Sequence, residues 1–440
     1  MNSRLFLNSS ILLEAACHHF KGSRMLPDSN EECRPPARDA KLIPLRLNWN
    51  FQFYWIGATA GGLGTSIVNL AVPLLILSST HSPALAGGYS AVLTISQLAL
   101  GIPAGVVADR INRRALLITT EVIRLLSVAG LVAALLRDDV SWIKIVLLAI
   151  ALGAALALGT PVRALVLRSI VPPEQLTQAL SQDEIRIRVA SLFGPVLAGA
   201  LYEVGQLGPF IAILVGYGIA LGTASLVPFD GRVQRKAQAS LRGVTAGISF
   251  LWRDTTFRAL VSLSAVANLL AVAVVLPAVL LLQHQHYGGG AIGFALTGEA
   301  LGGMVGAFLT RWLHSLMAPG KLLLILSWCT VLPVVALVIP WGLIWVFAML
   351  FVIGVGVPAR MVALDIMVFR RANDEVRGRV ISVVLFAQAI GSSFGNTLTG
   401  FLLSILSPQG AVWTICLAVT VPLVFLTAGK SLRQASWPSA

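Results

Sequence analysis

The chain has 440 residues, of which 56% are hydrophobic and only 12% charged, with a mean hydropathy of +0.83. A typical soluble domain carries about 25% charged residues, so a water-facing enzyme, a disordered chain and a secreted disulfide scaffold are all disfavoured. The net charge of +13 would suit a nucleic-acid partner in a soluble protein, but an integral membrane protein offers another reason for it, because Lys and Arg gather in cytoplasmic loops.

Residues 1–46 form a polar, Pro-containing head unlike the rest of the chain, read as a disordered cytoplasmic segment with Met1 or Met25 as its start. Cys17 and Cys33 lie in this head and Cys329 and Cys416 in apolar runs; no paired spacing suggests a disulfide or metal framework. Twelve runs of about 20 mostly apolar residues follow, each able to cross a hydrocarbon core. They fall at 53–77, 84–108, 115–136, 142–161, 186–204, 208–228, 259–282, 291–310, 321–339, 341–359, 380–406 and 409–428. This pattern predicts an all-α membrane protein. Its parts are an N-terminal six-helix bundle at 47–228, a cytoplasmic linker at 229–257, a C-terminal bundle at 258–428 and a tail at 429–440.

With the N-terminus inside, 29 of the 32 Lys and Arg residues fall on cytoplasmic segments. Arg137 and Lys144 lie outside, and Arg124 lies within a span. Both termini are therefore expected in the cytoplasm, with the protein in the cell (inner) membrane, and the basic charge is explained without nucleic acid.

The chain matches itself at an offset of 201 residues. Gly87, Gly88, Gly101, Gly105, Arg110, Glu174, Gly194 and Gly199 fall on Gly288, Gly289, Gly302, Gly306, Arg311, Glu375, Gly395 and Gly400. Pro161-Val-Arg163 also matches Pro358-Ala-Arg360 with a four-residue shift. Such a duplication predicts two parallel six-helix repeats, about an axis along the membrane normal, with a cavity between them that suits alternating access.

Between spans two and three runs Gly105-Val-Val-Ala-Asp109-Arg110-Ile-Asn112-Arg113-Arg114. Gly105 permits close helix approach, Asp109 can accept from a helix N-terminus or an Arg, and Arg110, Arg113 and Arg114 hold the loop inside. The alternative is an ordinary basic loop. In the second half Thr310 stands where Asp109 would fall, so any latch is asymmetric. Span five contains Ala190-Ser-Leu-Phe-Gly194-Pro195-Val-Leu-Ala198-Gly199, whose glycines let helices meet and whose proline bends the helix.

The first of these segments resembles the cytoplasmic-loop signature of the major facilitator superfamily, with Asn112 where that family usually has Gly. Asn tolerates positive φ, so the turn is expected to survive. The second is similar to the superfamily's antiporter motif, a pattern that in the family accompanies proton-exchanging exporters; plain small-residue packing is the alternative. The loops Val171-Pro172-Pro173-Glu174-Gln175 and Asn373-Asp374-Glu375-Val376-Arg377-Gly378-Arg379 look like those of the enterobactin-exporter and macrolide-efflux branch. The resemblance covers residues 47 to about 428. It implies a cavity lined by spans one, four, seven and ten, and small-molecule transport by a monomer.

Ionisable groups at membrane depth are costly and usually face a cavity or a partner. Glu121 and Arg124 lie three apart in span three and so share a helix face. They are expected to form an ion pair, or Glu121 to carry protons under the influence of Arg124. Glu299 stands nearly alone in span eight, beside Gly298, Gly302 and Gly303, with no basic residue within reach on its own helix. It is the first candidate for proton coupling, against an acid donating to a backbone carbonyl. The resemblance also implies an acid in span one, where this chain has Thr65. Asn69 and Asn268 are polar residues in apolar runs that could face the cavity.

His284 and His286 at an outer loop, two residues apart, are weak evidence for a metal site, and none is assigned. Gly354-Val-Gly356 lacks the strand-to-helix context of a nucleotide fingerprint, and no catalytic grouping stands out. The sequence thus reads as a secondary transporter rather than an enzyme, without cofactor, metal or nucleotide. It is expected to export a small amphipathic molecule such as a drug, siderophore or natural product, powered by a proton gradient. The alternative is a carrier of the same fold that moves lysophospholipid or another lipid.

Overall fold

In hydrocarbon every backbone N–H and C=O must find its partner within the chain, and a helix does this locally. The computed structural model describes residues 44–108, 112–227, 255–371 and 374–429, and it places the apolar runs in helices throughout. The N-terminal half contains α1 (Trp49–Thr80), α2 (Pro83–Ala108), α3 (Arg113–Leu136), α4 (Trp142–Ile170), α5 (Leu176–Val204) and α6 (Gly208–Leu226). The C-terminal half contains α7 (Thr255–Ala273), α8 (Val275–His284), α9 (Gly289–Leu316), α10 (Pro319–Ala336), α11 (Leu343–Arg371), α12 (Asp374–Ile405) and α13 (Pro408–Ala428).

Local chemistry explains many of the ends. Asn48 caps α1 by accepting from Phe51 N at 3.2 Å, and Ser407 caps α13 by accepting from Gly410 N at 3.2 Å. Proline opens α6, α10 and α13, where its missing N–H costs nothing. Asn112 does not adopt the positive φ expected of it. At φ −53° it is the N-cap of α3, accepting from Arg114 N at 2.9 Å, so it serves through its side chain rather than its backbone freedom.

The predicted seventh span is two helices, α7 and α8, which meet at Val274. Pro277 has no N–H for the carbonyl of Ala273, and the hydroxyl of Thr399 on α12 donates to that oxygen at 3.4 Å. Counting α7 and α8 as one, eleven spans among the described residues are long and apolar enough to cross a membrane. The twelfth is α12, whose mean hydropathy is lowered by Gln388, Ser392, Ser393, Asn396, Thr397 and Thr399.

Five helices overrun the predicted spans by six residues or more at the end of the bundle where α1 begins, called the near end below. There α4 reaches Ile170, α5 begins at Leu176, α9 reaches Leu316, α11 reaches Arg371 and α12 begins at Asp374. A helix satisfies its backbone in water as well as in lipid, so the ladder does not stop at the edge of the hydrocarbon. Arg163 and Arg360, assigned by sequence to cytoplasmic segments, therefore lie on helices, and Arg186, at the first position of predicted span five, lies well inside α5.

Glycine sets the closest helix contacts. On α9, Gly298, Gly302 and Gly306 lie against the carbonyls of Phe347, Phe351 and Val355 on α11, and Gly354 of α11 lies against the carbonyl of Glu299. In the first half Gly153 of α4 meets α2 at Leu93 O and Ser96. Gly153 and Gly354 are also 201 residues apart, so the repeat extends to this packing. Apolar side chains of both halves form the main core, and a second cluster that includes Phe51, Tyr54, Leu116, Leu117, Val162 and Val166 lies within the N-terminal half.

Candidate functional site

Three charges come together inside the N-terminal half. Glu121 of α3 is 2% exposed and accepts a hydrogen bond from Arg163 Nη2 of α4. Arg124, one turn along α3, has its Nη1 3.7 Å from the same carboxylate oxygen and its guanidinium 5.8 Å from the centre of the Tyr217 ring on α6. Small residues make the room: a Cβ on Gly61 would press on Arg163 Nη2 at 3.2 Å, and one on Gly159 would touch Arg124 Nη2 at 3.7 Å. Thr65 donates to Gly61 O at 2.9 Å, and its hydroxyl lies 3.4 Å from that of Tyr217. The expected Glu121–Arg124 pair is present, but the hydrogen-bonded partner is Arg163.

A fourth buried charge, Arg186 of α5, is separately balanced. Its Nε donates to Asp183 at 2.9 Å and its Nη1 to Ala58 O of α1 at 2.6 Å. Two narrow spaces flank the cluster. One runs between Tyr54, Leu117, Glu121, Arg163, Thr223 and Val227, and the other between Thr65, Asn69, Leu93, Arg124, Leu156 and Tyr217.

Glu299 is far from this cluster in sequence and lies in the other half. It is half-buried on α9 and interacts electrostatically with Arg360 of α11, which is also half-buried and donates from Nη1 to Thr330 Oγ1 of α10 at 3.4 Å. The two do not close to a contact ion pair among the described residues. Arg163 and Arg360 are the arginines of the two matched Pro-x-Arg segments. Each half thus presents an interior guanidinium after a mid-helix proline, and sequence reasoning missed both. The matched segments were the signal that could have found them.

The small residues of α5 join the two halves at the far end, where α1 ends and α2 begins. Gly194 lies against Ser66 of α1, within its own half. Pro195 O lies against Gly293 of α9, and Gly199 against the backbone of Gly289. The repeat image of this seam is Gly87 of α2 against Asn396 O and Gly400 of α12. Beside the first seam, Glu203 Oε1 of α5 accepts from Gly290 N in the first turn of α9 at 2.9 Å. Among the described residues, every close glycine approach between the halves is at this end.

Of the remaining candidates, Arg114 donates to Ser225 O of α6 at 2.7 Å, tying α3 to the end of α6. Gly105 lies in α2, while Asp109 and Arg110 fall outside the described residues, as do most of the head, the linker and the tail. Asn69 is exposed, and Asn268 donates to Ser264 O of its own helix at 3.0 Å.

A sequence profile of the major facilitator superfamily matches residues 54–395. The chain belongs to the major facilitator superfamily. As a member it is a multi-pass membrane transporter of small molecules, not an enzyme. Macrolide efflux protein A of Streptococcus pyogenes is 27% identical over 212 residues, 46% of this chain and 52% of that protein, so the match spans about half of that relative's length. The enterobactin exporter EntS of Citrobacter koseri is 25% identical over 295 residues, 64% of this chain and 68% of that protein. Among solved structures, the nucleoside transporter NupG aligns with a TM-score of 0.73 at 11% identity, covering 87% of this chain and 98% of NupG. A bacterial homologue of the lysosomal transporter Spinster, inward-facing and unoccupied, aligns with a TM-score of 0.66 at 16% identity, covering 90% and 99%. These two likenesses concern the fold alone.

Proposed function

We propose that this transporter exports a small amphipathic molecule in exchange for protons, by alternating access, as a monomer in the cell (inner) membrane with both termini in the cytoplasm. The observation that carries the coupling is Glu299, a half-buried carboxyl on α9 that faces the charge of Arg360 without being locked to it. A carboxyl so placed can exchange a proton and a salt bridge as its surroundings change. Glu121 is the weaker candidate, because two guanidinium groups hold it as their shared counter-ion. Export is supported by the efflux proteins among the relatives. The basic bias at the near end supports a cytoplasmic assignment for that end, and the far-end seams then describe an inward-facing state.

The test is substrate-dependent proton release from acidified inverted membrane vesicles, with a macrolide and enterobactin as probes. The wild type is expected to release protons on addition of a transported probe, Glu299→Asp to retain part of the response and Glu299→Gln to lose it. A full response in Glu299→Gln contradicts the assignment.

A further inference from the structure

The charge cluster of the N-terminal half does not balance. Glu121 is one carboxylate between two guanidinium groups, and its hydrogen bond goes to Arg163. Arg124 is 3% exposed and makes no hydrogen bond among the described residues. Its Nη1 is fully buried without a partner, and the nearest carboxylate oxygen is 3.7 Å away. A buried guanidinium in that position is expensive. The other buried arginine of this half, Arg186, is fully satisfied by Asp183 and Ala58 O, so the surplus positive charge resides at Arg124.

Arg124 lines the second narrow space, together with Thr65, Tyr217 and the exposed Asn69. The remaining walls include Leu93, Leu152 and Leu156, and in such apolar surroundings attraction between opposite charges is strong. Glu121, which lines the other space, offsets one of the two guanidinium charges and leaves a net charge of one on the three groups. Thr65 has given its proton to Gly61 O, so the amide of Asn69 and the hydroxyl of Tyr217 are the further polar groups of this wall that carry donors.

We propose that Arg124, with Tyr217 and Asn69 beside it, forms a subsite for a single negative charge, either a small inorganic anion or the carboxylate of a transported molecule. A monovalent anion matches the surplus of one charge. A neutral water satisfies a donor but leaves the charge uncompensated. The inference rests on the N-terminal half alone and stands whether or not transport is coupled to protons.

The test is the thermal unfolding of the purified full-length protein titrated with chloride and, separately, with acetate, comparing the wild type with Arg124→Gln and Arg124→Lys in the same salts. General salt effects are common to all three. Arg124→Gln leaves the Glu121–Arg163 pair balanced, so it is expected to fold, and size-exclusion chromatography checks that it does. The wild type should show a saturable rise in Tm with at least one anion, Arg124→Lys should retain it and Arg124→Gln should lose it. A response to chloride alone identifies an inorganic anion site, and a response to acetate identifies a carboxylate site. An equal response in Arg124→Gln, or no saturable response to either anion in the wild type, overturns the proposal.

Discussion

Glu121 is a single carboxylate on which two interior guanidinium groups depend. Replacing it with Gln would leave Arg163 and Arg124 buried with no counter-ion, and removing one partner of a buried pair typically costs about 3–5 kcal/mol. Glu121→Gln is therefore expected to lower the Tm of the purified protein sharply, whereas Arg124→Gln, which leaves a balanced pair, should lower it little. Thermal unfolding of the two variants side by side checks the contrast. Glu121 and Arg124 were legible in the sequence because their spacing alone puts them on one face. Arg163 was not, because a basic residue just after a proline reads as the end of a span, and only the continuation of α4 to Ile170 brings it inside. Arg360 was hidden for the same reason, which left Glu299 looking more isolated than it is.

Among elements, α9 and α11 depend most on missing side chains. A Cβ at Gly302 would collide with the carbonyl of Phe351, which is backbone and cannot swing away, while Gly101, its repeat image on α2, has nothing within 4 Å. Overpacking of this kind costs about 1–3 kcal/mol. Gly302→Ala is expected to destabilise the protein by that amount, and Gly101→Ala to leave stability unchanged or slightly raised; Tm measurements on both variants decide it. Helix number and order could be read from apolar run length, since hydrocarbon thickness fixes it. Helix ends could not, because the hydrogen-bond ladder continues into water. The break between α7 and α8 was signalled by Pro277 but depends on Thr399, more than a hundred residues away, to take up the freed carbonyl.

At the scale of the molecule, the two halves meet at the far end through two repeat-related seams, α5 with α9 and α2 with α12. The Glu203 carboxylate adds a charge-assisted hydrogen bond to the first turn of α9, where the helix dipole favours a negative group. Glu203→Gln keeps the shape but weakens that bond, and it is expected to shift the protein toward a state parted at this end. The duplication was legible as matched glycines; their meeting across the halves was not, because spacing along a chain does not say which helix lies opposite.

Alternating access requires both seams to part while each half moves as a body. Pulsed electron-spin distance measurements in lipid nanodiscs test this directly, with labels at the exposed far-end positions His81, Gln206, His286 and Leu406. The account predicts that the wild type shows a second, longer distance for both cross-half pairs, 81 with 406 and 206 with 286. That population should grow in Glu203→Gln, while the within-half pairs, 81 with 206 and 286 with 406, keep one distance. A single short distance across both seams in every condition, or changes confined to the within-half pairs, would contradict it.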